Sequence, residues 1–350
     1  MKQNLIMTDC EAEEILAFRQ GCENESGLTF EIKSAISNLH HGSALKRLKR
    51  YLSYFSFPWT TFLHRNRYNV IIGWQQFHAL NFALYCRLFH VKKAPVIIVA
   101  NFTYKAKSGL VGKLYRRYMS YILKSRYINL VHVPSYKYAA ETCREFSLDD
   151  SIMAVAPFGT PDNYDNWKNL DCQMKDYVLS IGRSNRDFDW LVKVWGNNVL
   201  ADHHLLIISD TWHPQSPLPL NVTHLDNVKG EESFPYIAGC LMSVVPIDNG
   251  LLCSGDTVLL NSMMMKKPVA VTTPSTLAEM YVEDQVNGIL LTKDPSPAAH
   301  SIARVLNDKA LYSQLSESAR CSYLQKFSRK SLGKNIIREL NRNINLQCLK

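Results

Sequence analysis

The sequence predicts an α/β chain of two doubly wound domains that face a cleft, and three observations predict it. Short apolar runs alternate with segments of helical periodicity along nearly all of the 350 residues, which is the pattern of parallel βαβ units. The alternation stops in the polar stretch 160–175, where Pro161, Asp162, Asn163, Asp165 and Asn166 mark a linker, and then starts again. A chain of this length also holds enough apolar residues for two separate cores. The expected division is 1–165, 166–330 and a terminal helix at 331–350.

In order, the first half offers strands at 4–7, 28–32, 68–73, 95–100, 130–133 and 152–156. The second half offers strands at 177–181, 205–209, 222–225, 241–247, 268–273 and 288–291. Helices are expected at 43–57, 110–126, 187–195, 255–267, 296–307 and 309–327. Met263, Met264 and Met265 read as helix core against the sheet. In the last segment Leu332, Ile336, Ile337, Leu340 and Ile344 fall at helical spacing.

Charge is unevenly spread. The net charge is +9, yet from Ile32 to Ala140 there is no Asp or Glu while Lys and Arg number eighteen. Such a surface attracts anionic lipid, nucleic acid or a polyanionic substrate. No nucleic-acid motif accompanies it, so a nucleic-acid partner is not expected, and a basic nucleic-acid-binding protein stands as an alternative reading. In the helix at 43–57, Leu45, Leu48, Leu52 and Phe55 form one stripe, while Lys46, Arg47, Lys49 and Arg50 face away. In 110–126, Lys113, Arg116, Arg117 and Lys124 share about a third of the circumference. Both read either as interfacial helices on an anionic membrane surface or as core-facing helices with solvated backs. The apolar region 70–89 contains Trp74, Gln75, Gln76, His78, Asn81 and Arg87 and is too polar to span a bilayer. No signal peptide is evident at the start. The nine cysteines show no C-x-x-C pair, which fits reduced thiols and no metal site. The expectation is a cytoplasmic protein, peripheral on the inner face of the cell membrane.

The most informative stretch runs from Ser254 to Thr272, a small-residue turn, a short helix and a buried strand. Ser254 or Asp256 can cap the helix, and Gly255 lets a ligand approach the backbone. The free N–H groups of the first turn make an anion site. Arg183 and Arg186, at the end of the strand 177–181, supply cations for a phosphate.

Together, Tyr177–Arg186, His224–Gly230, Ser254–Thr272 and Tyr281–Leu291 resemble the donor half of GT-B fold glycosyltransferases, especially the family-four (group 1) enzymes of bacterial exopolysaccharide, capsule and lipopolysaccharide synthesis. The resemblance implies two Rossmann-like domains, a nucleoside-diphosphate sugar as donor substrate and no tightly bound cofactor. It implies donor-binding roles for Gly182, Arg183, Arg186, Asn227, Val228, Gly255, Asp256, Thr257 and Asn261. One departure stands out: the family's two glutamates eight positions apart are replaced by Cys253 and Asn261. That leaves room for a degenerate transferase, and a sugar-nucleotide epimerase shares the fold. A final helix that crosses back onto the first domain is also common in this fold.

The first half is similar to the acceptor domain of the exopolysaccharide enzymes through Tyr68–Phe77 and Val96–Lys105. This implies a lipid-linked saccharide or polysaccharide acceptor, with Trp74, Gln75, Gln76, Tyr104 and Lys105 as its contacts. Trp74 reads either as a stacking platform or as core, and His78 either as a catalytic or as a structural histidine; Asn101 completes the catalytic candidates. An inverting transferase needs a base near the acceptor hydroxyl. Across the acid-free span only histidines could serve: His40, His41, His64, His78, His90 and His132; Asp9, Glu11, Glu13 and Glu14 remain possible at the end of the first strand. A retaining route lets a donor phosphate oxygen take the proton, and the family resemblance implies retention.

Overall fold

The computed structural model describes residues 2–36, 44–172, 174–228, 230–251 and 254–343. The chain forms two units, one of residues 1–158 with 329–350 and the other of 159–328. The division thus falls a few residues before the expected 165 and 330. Residues just after 158 join the second unit because Thr160 bridges Ser328 and its N–H bonds the Phe327 carbonyl at 3.3 Å.

The first unit is built on β1 (Gln3–Thr8), β2 (Phe30–Ser34), β3 (Tyr68–Gly73), β4 (Val96–Val99), β5 (Leu130–Val133) and β6 (Met153–Val155). All pair in parallel in the order β2-β1-β3-β4-β5-β6. Helices α1 (Leu16–Ser26), α2 (Ala44–Leu63), α3 (Gln76–Leu88), α4 (Gly109–Leu123) and α5 (Tyr136–Phe146) cover it. Strand residues alternate between two cores, as a sheet covered on both faces requires. Leu5, Met7, Ile71, Ile97 and Val131 pack with Ala79, Leu80, Met119 and Ile122 from α3 and α4. Ile6, Val70, Ile72, Ile98 and Leu130 pack with Phe18 and Cys22 of α1 and with Leu332, Ile336, Ile337 and Leu340. The chain's last helix, Arg329–Asn343, therefore belongs to the first unit. Glycine makes this crossing possible: a Cβ at Gly21 would sit 2.0 Å from the Lys330 carbonyl oxygen, and one at Gly333 would sit 2.3 Å from that of Phe18.

The second unit carries β7 (Tyr177–Ile181), β8 (His204–Ile208), β9 (Val222–Leu225), β10 (Met242–Val245), β11 (Val269–Thr272) and β12 (Ile289–Leu291), all parallel, in the order β12-β11-β10-β7-β8-β9. Its helices are α6 (Tyr164–Trp167), α7 (Phe188–Trp195), α8 (Phe234–Gly239), α9 (Asp256–Met264), α10 (Thr276–Tyr281), α11 (Pro295–Asn307) and α12 (Lys309–Ser322), and α13 is the returning helix Arg329–Asn343. Strand order reverses between β7 and β10, the switch point at which doubly wound sheets bind ligands. The expected linker contains α6, whose buried Trp167 stacks on Phe234 with ring centroids 3.9 Å apart. The segment expected as one helix from 309 to 327 ends in a π-helical turn, Tyr323–Phe327.

Candidate functional site

In the second unit the carboxyl ends of β7 and β10 meet around one guanidinium. After β7, the Gly182 N–H donates to the Ile208 carbonyl at 3.1 Å. Asn185 then takes a left-handed conformation, φ 56°, and turns the chain back so that Arg186 bridges Ile247 beyond β10. The Asn185 side chain fastens the turn, giving its amide to the Asn249 carbonyl at 3.0 Å and accepting the Asn249 N–H at 2.7 Å. Gly255 opens α9 with φ 100°, a conformation open to glycine and hostile to other residues. Arg186 lies in a slot whose walls are two glycines. A Cβ on Gly182 would stand 2.7 Å from its Nε, and one on Gly255 would stand 2.6 Å from its Nη2.

This cation is incompletely satisfied. Its Nη1 donates to the carbonyls of Ser184 and Asn185 at 3.0 and 3.2 Å, while the buried Nε has no partner. Burial lowers its pKa from 12.5 to about 10, and the nearby Asp256 carboxylate works the other way. Burial raises the Asp256 carboxyl, whose Oδ1 accepts the Thr257 N–H at 2.8 Å. Asp256 thus sits inside the first turn, and the cap position itself is Gly255 with no side-chain cap. A desolvated guanidinium beside a helix N-terminus is an arrangement that binds phosphate oxygens.

The structure brings Gly182, Arg186, Gly255, Asp256 and Thr257 together and leaves other candidates outside. Arg183 does not reach the helix start: its Nε donates to Asp210 Oδ1 at 2.8 Å beyond β8, with the side chain 74% exposed. The reversal at Asn185, invisible to a strand-by-strand reading, gives the position to the later arginine. Asn227 and Val228 follow the edge strand β9, two strands from β7, and Asn227 is exposed. Asn261 is buried within α9; Cys253 lies outside the described residues. Sequence reasoning missed Lys293, whose Nζ clasps Asp187 Oδ2 at 3.0 Å and the Ile247 carbonyl. Its signal was available, a basic residue directly after a strand of the doubly wound sheet.

In the first unit Trp74, Gln75 and Gln76 make contacts that fasten the fold. At the switch point between β1 and β3, Gln75 donates to Asp9 Oδ2 at 2.9 Å and caps α3 by accepting the Phe77 N–H at 3.3 Å. Gln76 pairs with the Thr103 backbone in both directions, at 3.1 and 2.9 Å. Trp74 is occupied by the Arg329 guanidinium at 5.3 Å and by the Phe18 ring at 4.9 Å. His78 is fully buried between Tyr54 and Phe57, with neither ring nitrogen partnered. Burial lowers its pKa to about 3, so it is neutral and out of reach of an acceptor hydroxyl. Asn101 adopts φ 53° and its N–H donates to His132 Nδ1 at 3.0 Å. His132 must then donate from Nε2 to the Ala156 carbonyl, 3.0 Å away; burial lowers its pKa to about 4. His40 and His41 lie outside the described residues. Tyr104 stacks on Tyr115, centroids 5.4 Å apart. Lys105 stands with Lys107 on the rim of a cavity of about 590 Å³ between α2 and α4.

Residues 175–308 match the family model described as Glycosyl transferases group 1. Among solved structures the chain is similar to a glycosyltransferase from Rickettsia africae, at 13% identity and TM-score 0.58, covering 98% of this chain and 99% of that one. It is equally similar to Anabaena HepE in complex with UDP, at 13% identity and TM-score 0.59, covering 97% and 100%, and to sucrose-phosphate synthase from Thermosynechococcus elongatus, at 14% identity and TM-score 0.58, covering 100% of both. No curated protein matches the sequence. The chain has the GT-B fold, and its second unit is similar to the group 1 glycosyltransferases.

Proposed function

We propose that this glycosyltransferase takes a sugar from a nucleoside-diphosphate donor, with the diphosphate held by Arg186 and the α9 N-terminus, and passes it to a lipid-linked or polysaccharide acceptor. The observation that carries the reading is the two-glycine slot around Arg186 at the β7/β10 switch point. Anabaena HepE has been solved with UDP-glucose, which makes a UDP-sugar the first donor to try. Working at an anionic membrane face, in surface polysaccharide synthesis, is supported by the acid-free basic span of the first unit. No described helix is long and apolar enough to cross a membrane.

We infer retention of anomeric configuration, which the state of three candidate bases in the first unit supports. His78 and His132 are buried and neutral, and Asp9 is engaged by Gln75. In the retaining route the bond from the sugar C1 to the diphosphate oxygen breaks. The acceptor oxygen bonds to C1 on the same face, and its proton passes to the departing phosphate. The test is a thermal-shift panel of nucleotide sugars: a donor at about a hundred times its Kd stabilises the folded protein by about 2.7 kcal/mol. A panel in which no nucleotide sugar moves the melting temperature would overturn the reading.

A further inference from the structure

We propose that the cavity between α2 and α4 holds the hydrocarbon chain of a single phosphate-bearing lipid, the carrier that presents the acceptor, with Lys105 and Lys107 at its phosphate. The proposal rests on the acceptor reading above and names the ligand of that side.

Its volume of about 590 Å³ lies within the range of about 300–1,000 Å³ that ligand pockets occupy. The walls are apolar: Tyr51 and Phe55 from α2, Phe77 from α3, and Val111, Leu114 and Tyr118 from α4. Tyr51, Phe55, Val111 and Leu114 are 46 to 66% exposed, and Leu48, Leu52 and Leu110 beside them are exposed as well. The apolar stripe of α2 is therefore turned outward, and the helix packs on α3 instead, through Tyr54 on Phe77 and Phe62 on Phe82. A contiguous apolar patch of this kind marks a binding surface.

The floor is mainly aromatic. Tyr54 stacks on Phe77 with centroids 5.1 Å apart, the Tyr118 hydroxyl is given to Asn81 Oδ1 at 2.5 Å, and His78 behind them is neutral. Gln76, on the wall, has its amide spent on the Thr103 backbone. The polar groups stand at the rim, where the Lys107 ammonium lies 4.7 Å from the Tyr115 ring centroid. The span Ile32–Ala140 carries no carboxylate; the acids that act nearby from outside it are engaged elsewhere, Glu145 with Arg116 at 2.6 Å and Asp9 with Gln75 at 2.9 Å. An apolar recess with an uncancelled cationic mouth complements a molecule with an apolar tail and an anionic head. A second copy of this chain would bring the same basic surface against itself and fits poorly.

The test titrates farnesyl phosphate, below its micelle concentration, into the full-length protein by calorimetry, with farnesol and inorganic phosphate as the two half-ligands. Farnesyl phosphate should bind one per chain, and each half-ligand at least tenfold more weakly. Val111→Trp and Leu114→Trp fill the recess at exposed positions that folding does not depend on, and each should weaken binding tenfold or more. Lys105→Ala with Lys107→Ala should erase the preference over farnesol. Equal binding by the tryptophan variants, many lipids adsorbed per chain, or a dimer that Val111→Trp dissolves would each overturn the proposal. The UDP-glucose melting shift, measured on the same samples, reports separately: its absence sinks the transferase reading while the farnesyl phosphate result stands by itself.

Discussion

Replacing Arg186 with methionine should make the free protein more stable while removing its grip on the donor. Burial lowers the guanidinium pKa from 12.5 to about 10, and one pKa unit corresponds to about 1.4 kcal/mol, so confining the charge costs at most about 3.5 kcal/mol. The side chain keeps some contact with solvent, which screens the penalty, and about 1 kcal/mol is the expected gain. For a unit of this size that raises the melting temperature by roughly 2–4 °C. With a diphosphate bound, the sign reverses. Charge-assisted hydrogen bonds contribute about 1.5–3 kcal/mol, so the variant should bind UDP-glucose roughly 10- to 150-fold more weakly. Scanning calorimetry with and without UDP-glucose reads both effects in one experiment. Arg183→Met is the control: its exposed pair with Asp210 is worth at most about 1 kcal/mol, and the donor shift should persist. A methionine at 186 that keeps the full shift, or one at 183 that abolishes it, would refute the assignment of the anion slot.

Three further outcomes are expected. Gly255→Ala forces a Cβ onto φ 100° and against the Arg186 guanidinium; it should cost about 1–2 kcal/mol and suppress the donor shift in the same calorimetric scan. His78 binds protons less readily in the folded state, its pKa lowered from 6.5 to about 3, so stability falls as pH drops through that window by up to about 1.4 kcal/mol per pH unit. Denaturation series at pH 7 and pH 5 should show His78→Leu losing less stability on acidification than the parent; parallel losses would contradict the burial. Gly21→Val drives a side chain into the Lys330 carbonyl, and urea unfolding should show the first unit weakened by about 3 kcal/mol or more.

The strands and their parallel pairing were legible because a sheet covered on both faces leaves unbroken apolar runs such as Val70–Ile72. The candidate anion site was legible in its residue types, two arginines and a glycine before a helix. The choice between the arginines was not, since it depends on one left-handed residue, Asn185, whose sequence signal is faint. Trp74, Gln75 and Gln76 looked like a sugar surface because exposed and internally satisfied polar residues share one composition. Only their partners, Arg329, Asp9 and Thr103, reveal them as fasteners. Helix α2 was expected to end at 57, yet it continues through Pro58. A proline also breaks helices, so composition alone does not settle that extension.

The returning helix α13 has a consequence for how the protein is made. Domains usually fold as they emerge, amino-terminal first. Here Leu332, Ile336, Ile337 and Leu340 fill one face of the first sheet, and they leave the ribosome after every residue of the second unit. Until they arrive, Ile6, Val70 and Ile98 have an unfinished covering, so the nascent amino-terminal half must wait, exposed or chaperoned, for a partner made only after the second unit.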